Sequence, residues 1–204
     1  LINEKVKEID PKIKLKLKQV TFKLNLSNFE FEIFTLDPQI AINEKDIELE
    51  NIKFDLNIFD YISNKNPISE ISIISKENDI DQFIDFINEY DFNLARTLIL
   101  KQIKKGKVKV ISNITFDKNS PKNIQYTLNG SVTDAEIKLP KQSKIENVKF
   151  DFLVDQDVIN LNEIELSFDK FLIASEKIRI KKINNYFEIS GNFKTNETKI
   201  NLNL

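Results

Sequence analysis

Asp155 and Asp157 are the pair of residues in this chain most open to a chemical reading. Two carboxylates at i, i+2 suit acid–base work or the start of a calcium loop. They fall between two strand-like runs, Ile145 to Val154 and Val158 to Phe168. Asp is favoured at such a junction by its own backbone hydrogen bonding. No aspartate-rich calcium loop surrounds them, so they read as a turn. The lysine run Lys101, Lys104, Lys105, Lys107 and Lys109 could meet anionic headgroups. Its plainer reading is a helix C-terminus leading into a solvated strand face. The sequons at Asn25, Asn113, Asn129 and Asn196 match by composition alone. Histidine and cysteine are absent. That removes the usual general base, the commonest metal ligand, thiolate chemistry and any disulfide framework. No catalytic constellation stands, so the chain is read as no enzyme, with no cofactor and no metal site expected.

The strongest pattern is apolar. Ile13, Leu15 and Leu17 alternate with lysines, Phe22, Leu24 and Leu26 with Lys23 and Asn25, and Ile52, Phe54, Leu56 and Ile58 with Lys53, Asp55 and Asn57. Period-two alternation sets every apolar side chain on one face of a sheet and every charge on the other. Such a face must meet another sheet, a helix, its own far edge or a ligand. The composition supports a folded chain: 41% hydrophobic, 30% charged and 16 Phe among 204 residues, unlike a disordered segment. The net charge of −2 supplies no basic excess for releasing counterions from nucleic acid, so a nucleic-acid partner is not expected. No run approaches the ~20 apolar residues of a membrane-spanning helix, and no signal peptide is visible. Methionine is absent, even at position 1, which suggests a piece of a longer or processed protein.

The elements that must position this face are mainly strands. Lys12 to Leu36 reads as two long strands, with a phase change between Leu17 and Val20 that predicts a bulge at Lys18 and Gln19. Asp37-Pro38 interrupts, Ile40 and Ile42 make a short strand, and Ile47 to Ile58 a long one. Asn64 to Pro67 is a loop, and Ile68 to Ser75 a strand. Ile80, Phe83, Ile84 and Ile87 then follow helical spacing, with Asp79 as the expected N-cap. A second helix is expected over Leu94 to Lys104, ended by Gly106. Strands resume at Lys107 to Phe116, Ile124 to Val132, Ala135 to Leu139, Ile145 to Val154 and Val158 to Phe168. They continue at Phe171 to Ser175, Lys177 to Lys182, Tyr186 to Phe193 and Lys199 to Leu204. Turns are built from Asn, Asp, Ser and Lys, since only three glycines occur. Glu50-Asn51-Ile52-Lys53-Phe54-Asp55-Leu56 is echoed by Glu146-Asn147-Val148-Lys149-Phe150-Asp151-Phe152, identical at five of seven positions. The expected organisation is an N-terminal β segment over 1–78, a helical insert over 79–106 and a C-terminal meander of the same sheet over 107–204.

The order of these phrases resembles a known family. Leu36-Asp37-Pro38-Gln39-Ile40 precedes the long strand through Ile47 to Leu56, and Gly106-Lys107-Val108-Lys109-Val110 follows the insert. Leu128-Asn129-Gly130-Ser131-Val132-Thr133-Asp134-Ala135 comes next, and a meander ends in Ile189-Ser190-Gly191-Asn192-Phe193. This pattern is similar to that of the AsmA-like superfamily of double-membrane bacteria. It departs from the family in its low glycine count and in lacking the family's N-terminal membrane helix. The resemblance implies a periplasmic segment of an inner-membrane-anchored protein. Its elongated, twisted antiparallel sheet would curl into a groove or half-barrel with an apolar lining. The partners would be phospholipid acyl chains moving between inner and outer membranes, with membranes reached through parts outside this chain.

The residues expected on that lining are Phe22, Leu24, Phe31, Ile52, Phe54, Leu56, Val148, Phe150, Phe152, Leu166 and Phe168. Each could equally be ordinary core. The helix near Phe83 to Ile87 is expected to cap one end of the sheet, since its acidic residues Asp79, Asp81, Asp85 and Glu89 do not suit a membrane surface. The alternative is a structural or adhesive β-repeat module with a closed core and a protein-binding edge.

Overall fold

All strand pairings are antiparallel, and from β8 to β13 each strand pairs with the next along the chain. The computed structural model describes residues 11–27, 29–63, 65–90, 97, 100–117, 124–140, 143–169, 171–184 and 186–196. Fourteen strands form one large sheet, mainly β throughout and not closed into a barrel. β1 (Ile13–Lys16) and β2 (Gln19–Asn25) make one edge. β1 pairs β4 (Gln39–Ile42), and β2 pairs β3 (Glu30–Leu36). Both β3 and β4 pair the single long β5 (Lys45–Asn57). The order then runs through β6 (Ile68–Ser75) with β7 (Asn78–Asp79), β8 (Ile103–Phe116), β9 (Ile124–Lys138) and β10 (Lys144–Asp155). It ends with β11 (Val158–Phe168), β12 (Phe171–Ile183), β13 (Tyr186–Gly191) and β14 (Lys194–Thr195). The insert between β7 and β8 leaves the strand order untouched, because β6 and β7 both pair β8 directly. The expected strand over Lys199 to Leu204 lies outside the described residues.

The alternation breaks at a matching depth across the sheet, inside the long strands or between two consecutive short ones. The apolar face steps i to i+3 rather than i to i+2 at Leu17/Val20, Thr35/Pro38, Leu49/Ile52, Ser75/Asn78 and Ile103/Gly106. It does so again at Val132/Ala135, Ile145/Val148, Leu161/Ile164 and Ser175/Ile178. A step of three instead of two adds one residue, which is what a β-bulge inserts, and bulges bend and twist the strand that carries them. Lined up across the sheet, they make a crease. Asp37, Asp134, Asn147 and Glu163 hold left-handed backbone at these points, with φ of 45°, 52°, 52° and 50°, and Gly106 holds φ 122°. The remaining left-handed residues, Phe29, Asn43, Gln156, Asp169 and Asn184, sit in hairpin turns. The two halves of the sequence echo meet here: Ile52 and Val148 both follow a Glu-Asn bulge and both are buried.

Burial peaks along the crease, and small polar side chains repair the ladder there. Thr35 Oγ1 accepts from Ile52 N–H at 3.1 Å, and Ser75 Oγ from Val110 N–H at 2.8 Å. Asn78 Oδ1 accepts from Glu48 N–H at 3.0 Å, while its Nδ2 donates to Glu48 C=O at 3.1 Å. A bulge would otherwise leave these buried groups unpaired, at about 1–3 kcal/mol each. On the outer face Lys76 bridges Asp37 (2.9 Å) and Glu48 (3.5 Å). Its hydrogen bond and charge hold the Asp37 carboxyl below its ordinary range.

Two helices are described in full. α1 (Ile58–Ile62) is capped by Asn57, whose Oδ1 accepts from Asp60 N–H at 3.1 Å. It replaces the end of the strand expected through Ile58. The alternation stays in phase at Ile58, so the pattern hides it, whereas Asn57 followed three residues later by Asp60 is a cap signal. α2 (Ile80–Tyr90) follows β7, as its spacing predicts. The second helix expected over Leu94 to Lys104 ends earlier. Thr97 and Leu100 are helical, Lys101 and Gln102 form a turn, and β8 begins at Ile103. Gly106 therefore ends no helix. It is the bulge residue of β8, and a Cβ there would sit 2.8 Å from Ala135 Cα. The breaks read at Thr133-Asp134 and Glu176 likewise fall inside single strands, β9 and β12: the first is a bulge against β8, and at the second β11 and β12 keep one register.

The crease predicts opposite effects of glycine at two of its positions. Gly106→Ala forces a side chain into a disallowed conformation and a clash, and lowers stability by about 2 kcal/mol or more. Glu163→Gly removes left-handed strain of about 1–2 kcal/mol and adds back about 0.5–1 kcal/mol of chain entropy, so stability holds or rises. Urea unfolding midpoints at unchanged m-value check both.

Candidate functional site

The register carries one row of inward side chains across the full width of the sheet. It runs Val20, Thr35, Ile52, Ile73, Ser112, Leu128, Val154, Ile159, Ile180 and Ile189, each opposite the next. Nine strand spacings make this row roughly 43 Å long. A second row runs Phe22, Ile33, Phe54, Ile71, Ile114 and Tyr126, and a third Leu24, Phe31, Leu56 and Ile68. No charged residue stands in any of the three. Thr35 spends its hydroxyl on the Ile52 backbone. Gly130 lies on the same face between Val110 and Phe152. A Cβ there would come 2.7 Å from Phe152 Cζ, so the ring lies over the bare glycine.

α2 covers only the crease. Ile80 and Ile84 are buried with Val108, Val132, Ala135 and Val148, and Phe83 and Phe86 reach Leu15, Ile47, Leu49 and Ile52. The helix is moored to the β4–β5 turn by Lys45 Nζ to Asp85 (2.8 Å), Gln82 Nε2 to Asp46 C=O (2.8 Å) and Asn43 to Glu89. It lies on the face of the sheet, over β4, β5, β7 and β8, rather than capping an end as its sequence reading proposed. Its apolar stripe found the nearest apolar surface, and that surface is the crease.

The expected lining residues share one face, but they do not form one site. Phe22, Leu24, Phe31 and Leu56 gather in an open patch on β2, β3 and β5, with the Phe22 and Phe31 rings stacked at 5.6 Å, and Phe54 joins this patch to the core that it packs against. Phe22 and Leu24 are 57% and 52% exposed. Ile52 and Val148 are 3% and 4% exposed and belong to the core beneath α2. Phe150, Phe152 and Leu166 pack against that core, while Phe168 sits beyond the crease opposite Ile145 and Phe171. Ile33, Ile71, Ile114, Leu128, Val154, Ile159 and Ile180 complete the open face. Alternation within their own strands was the signal that marks them.

Of the polar residues considered for chemistry, three lysines have ion-pair partners and the two aspartates serve a turn. Asp155 and Asp157 flank the β10–β11 turn, and Asp157 C=O accepts from Lys182 N–H at 2.8 Å. Among the described residues no group of three or more acidic side chains could hold a metal. Lys105, Lys107 and Lys109 pair Glu136 (3.3 Å), Asp79 (2.8 Å) and Glu50 (3.1 Å), and Asp79 holds Lys107 protonated above its ordinary range. They stitch neighbouring strands on the polar face. No helix among the described residues is long and apolar enough to cross a membrane.

No protein-family model, no curated protein and no solved structure matches this chain.

Core and open face separate by mutation. Ile52→Ala leaves a cavity under α2 and costs about 2–5 kcal/mol. Phe22→Ser, on the open patch, changes stability by less than about 1 kcal/mol. Equilibrium urea unfolding of the two variants measures the split.

Proposed function

We propose that the open part of this apolar face binds lipid acyl chains, and that the chain is a periplasmic segment of an AsmA-like protein carrying phospholipid between two membranes. The observation behind the reading is the uncharged row across ten paired strands of an open sheet, apolar except at Thr35 and Ser112, with α2 covering only the crease. Hydrocarbon transferred from water onto such a face gains about 25 cal/mol per Å², or ~0.8 kcal/mol per buried CH₂. The face carries one charge at its far end, Lys182 opposite Phe187, and none along its three rows, so those rows suit chains of many lengths and exclude none by chemistry. The outer face carries the compensation. Ion pairs such as Lys53 with Asp55 (3.0 Å) and Glu32 (3.5 Å) keep that side wetted. The function is binding and transfer, without covalent steps. Anchoring in the inner membrane would belong to parts of the protein outside this chain.

The alternative, a structural or adhesive β-repeat with a closed core, would need a second layer over Phe22, Phe31 and Leu56. Among the described residues none of the elements supplies it.

Phe31 and Leu56 face each other on β3 and β5, clear of the helix-covered core. The test is native mass spectrometry of protein purified from a double-membrane bacterium under mild conditions. The wild type should retain phospholipid at defined stoichiometry, and Phe31→Glu with Leu56→Glu should lose at least ~80% of it while the unfolding midpoint stays close to wild type. A lipid-free wild type that also refuses added phospholipid would sink the reading.

A further inference from the structure

We propose that the two edges of this sheet, β2 and β13, are made to meet between copies, so that a second copy of the chain continues the sheet head to tail. Among the described residues β2 pairs only β3, and β13 pairs only β12. Each therefore presents a row of unpaired backbone donors and acceptors, which is a template for another strand. The two edges are protected unequally along their length. Above the crease, β1 carries Lys12, Lys14 and Lys16 at or beside it, and on the other side β14 folds back onto β12 at Ile173 and Ala174. Lysine and a returning strand both blunt edge pairing. Below the crease neither device is used. β2, seven residues, bears only Lys23, and β13, six residues, only Glu188.

Those two charges have opposite sign, and neither has an ion-pair partner among the described residues. Ten strands in strict antiparallel order leave β13 running opposite to β2, so the next copy enters with the correct sense. The register that sets Glu188 opposite Lys23 pairs all six residues of β13 with Val20 to Asn25. It then sets Ile189 opposite Phe22 and Phe187 opposite Leu24, on the face that is apolar in both copies. All four side chains are more than half exposed in the single chain. The contact joins two different surfaces, so copies add head to tail, as an open row unless the rotation between them closes a ring. The apolar face lengthens with each copy added.

The chain has no cysteine, so disulfide mapping reads cleanly. Phe22→Cys and Ile189→Cys variants of the full chain are mixed and oxidised. The mixed dimer should exceed either homodimer by at least about tenfold, and sedimentation velocity of the wild type should show mass rising with concentration. Lys23→Glu or Glu188→Lys alone should lower assembly about fivefold, and both reversals in one chain should restore it. Circular dichroism confirms that each exposed substitution leaves the fold intact. A wild type that stays monomeric throughout overturns the proposal. So do homodimers as abundant as the mixed dimer, or assembly indifferent to the charge reversals. Lipid is absent from the experiment, so its outcome is independent of acyl-chain binding.

Discussion

The crease is the constraint on which the rest of the structure depends. A sheet of ten strands in strict alternation would carry its apolar side chains on a surface broader than one helix can cover. Breaks in the alternation, at matching depth, bend that surface along a line. Neighbouring apolar rows then converge and bury each other at Leu49, Ile52, Val132, Ala135, Val148 and Ile164. The bend also concentrates the cost. Left-handed Asp, Asn and Glu residues store strain, and broken ladder bonds need Thr35, Ser75 and Asn78 as substitutes. Small residues stand where the halves approach most closely, as Ala135 does against Gly106.

From the crease follow the place of α2 and the limits of the apolar face. A helix with one apolar stripe is stabilised most where buried surface is densest, so α2 lies along the bend and its polar side is moored to the β4–β5 turn. What it leaves uncovered is the flatter part of each strand below the bend. The open face is thus what remains once α2 has covered the bend, with charge kept to the opposite side by the period of the strand except at Lys182. The sheet edges follow the same division: blunted above the crease, bare below it.

Much of this was legible in the residues. The mainly β class, the meander order, the helix at Ile80 and the strand bounds at Ile68 to Ser75 and Val158 to Phe168 all follow from periodicity. The phase change between Leu17 and Val20 is readable in the residues, but the structure makes it a break between two strands, β1 ending at Lys16 and β2 beginning at Gln19, rather than a bulge inside one. The same change at Val132/Ala135 and Ser175/Ile178 was read as the end of one strand and the start of another. Asp134 and the Glu176-Lys177 pair look like turn residues to any local rule. Only a neighbouring strand that keeps pairing through the break distinguishes a bulge from a turn. α1 was lost for a related reason, since Ile58 continues the strand phase and a five-residue helix has no period of its own.

The sequence by itself determined which side chains share a face, because alternation is a property of the backbone repeat and needs no partner. It determined the polar side, the turns made of Asn and Asp, and the absence of histidine and cysteine chemistry. Only the tertiary structure decided that nine local breaks align into one bend, since their alignment depends on register between strands far apart in the chain. The same register decided which members of the apolar face are core and which are open. Ile52 and Leu56 stand four residues apart in one alternating run, yet Ile52 is buried in the core that Phe83 and Phe86 pack against, while Leu56 lies outside that core. Helix placement drew that line, and helix placement is settled by where packing is densest, which no single segment contains.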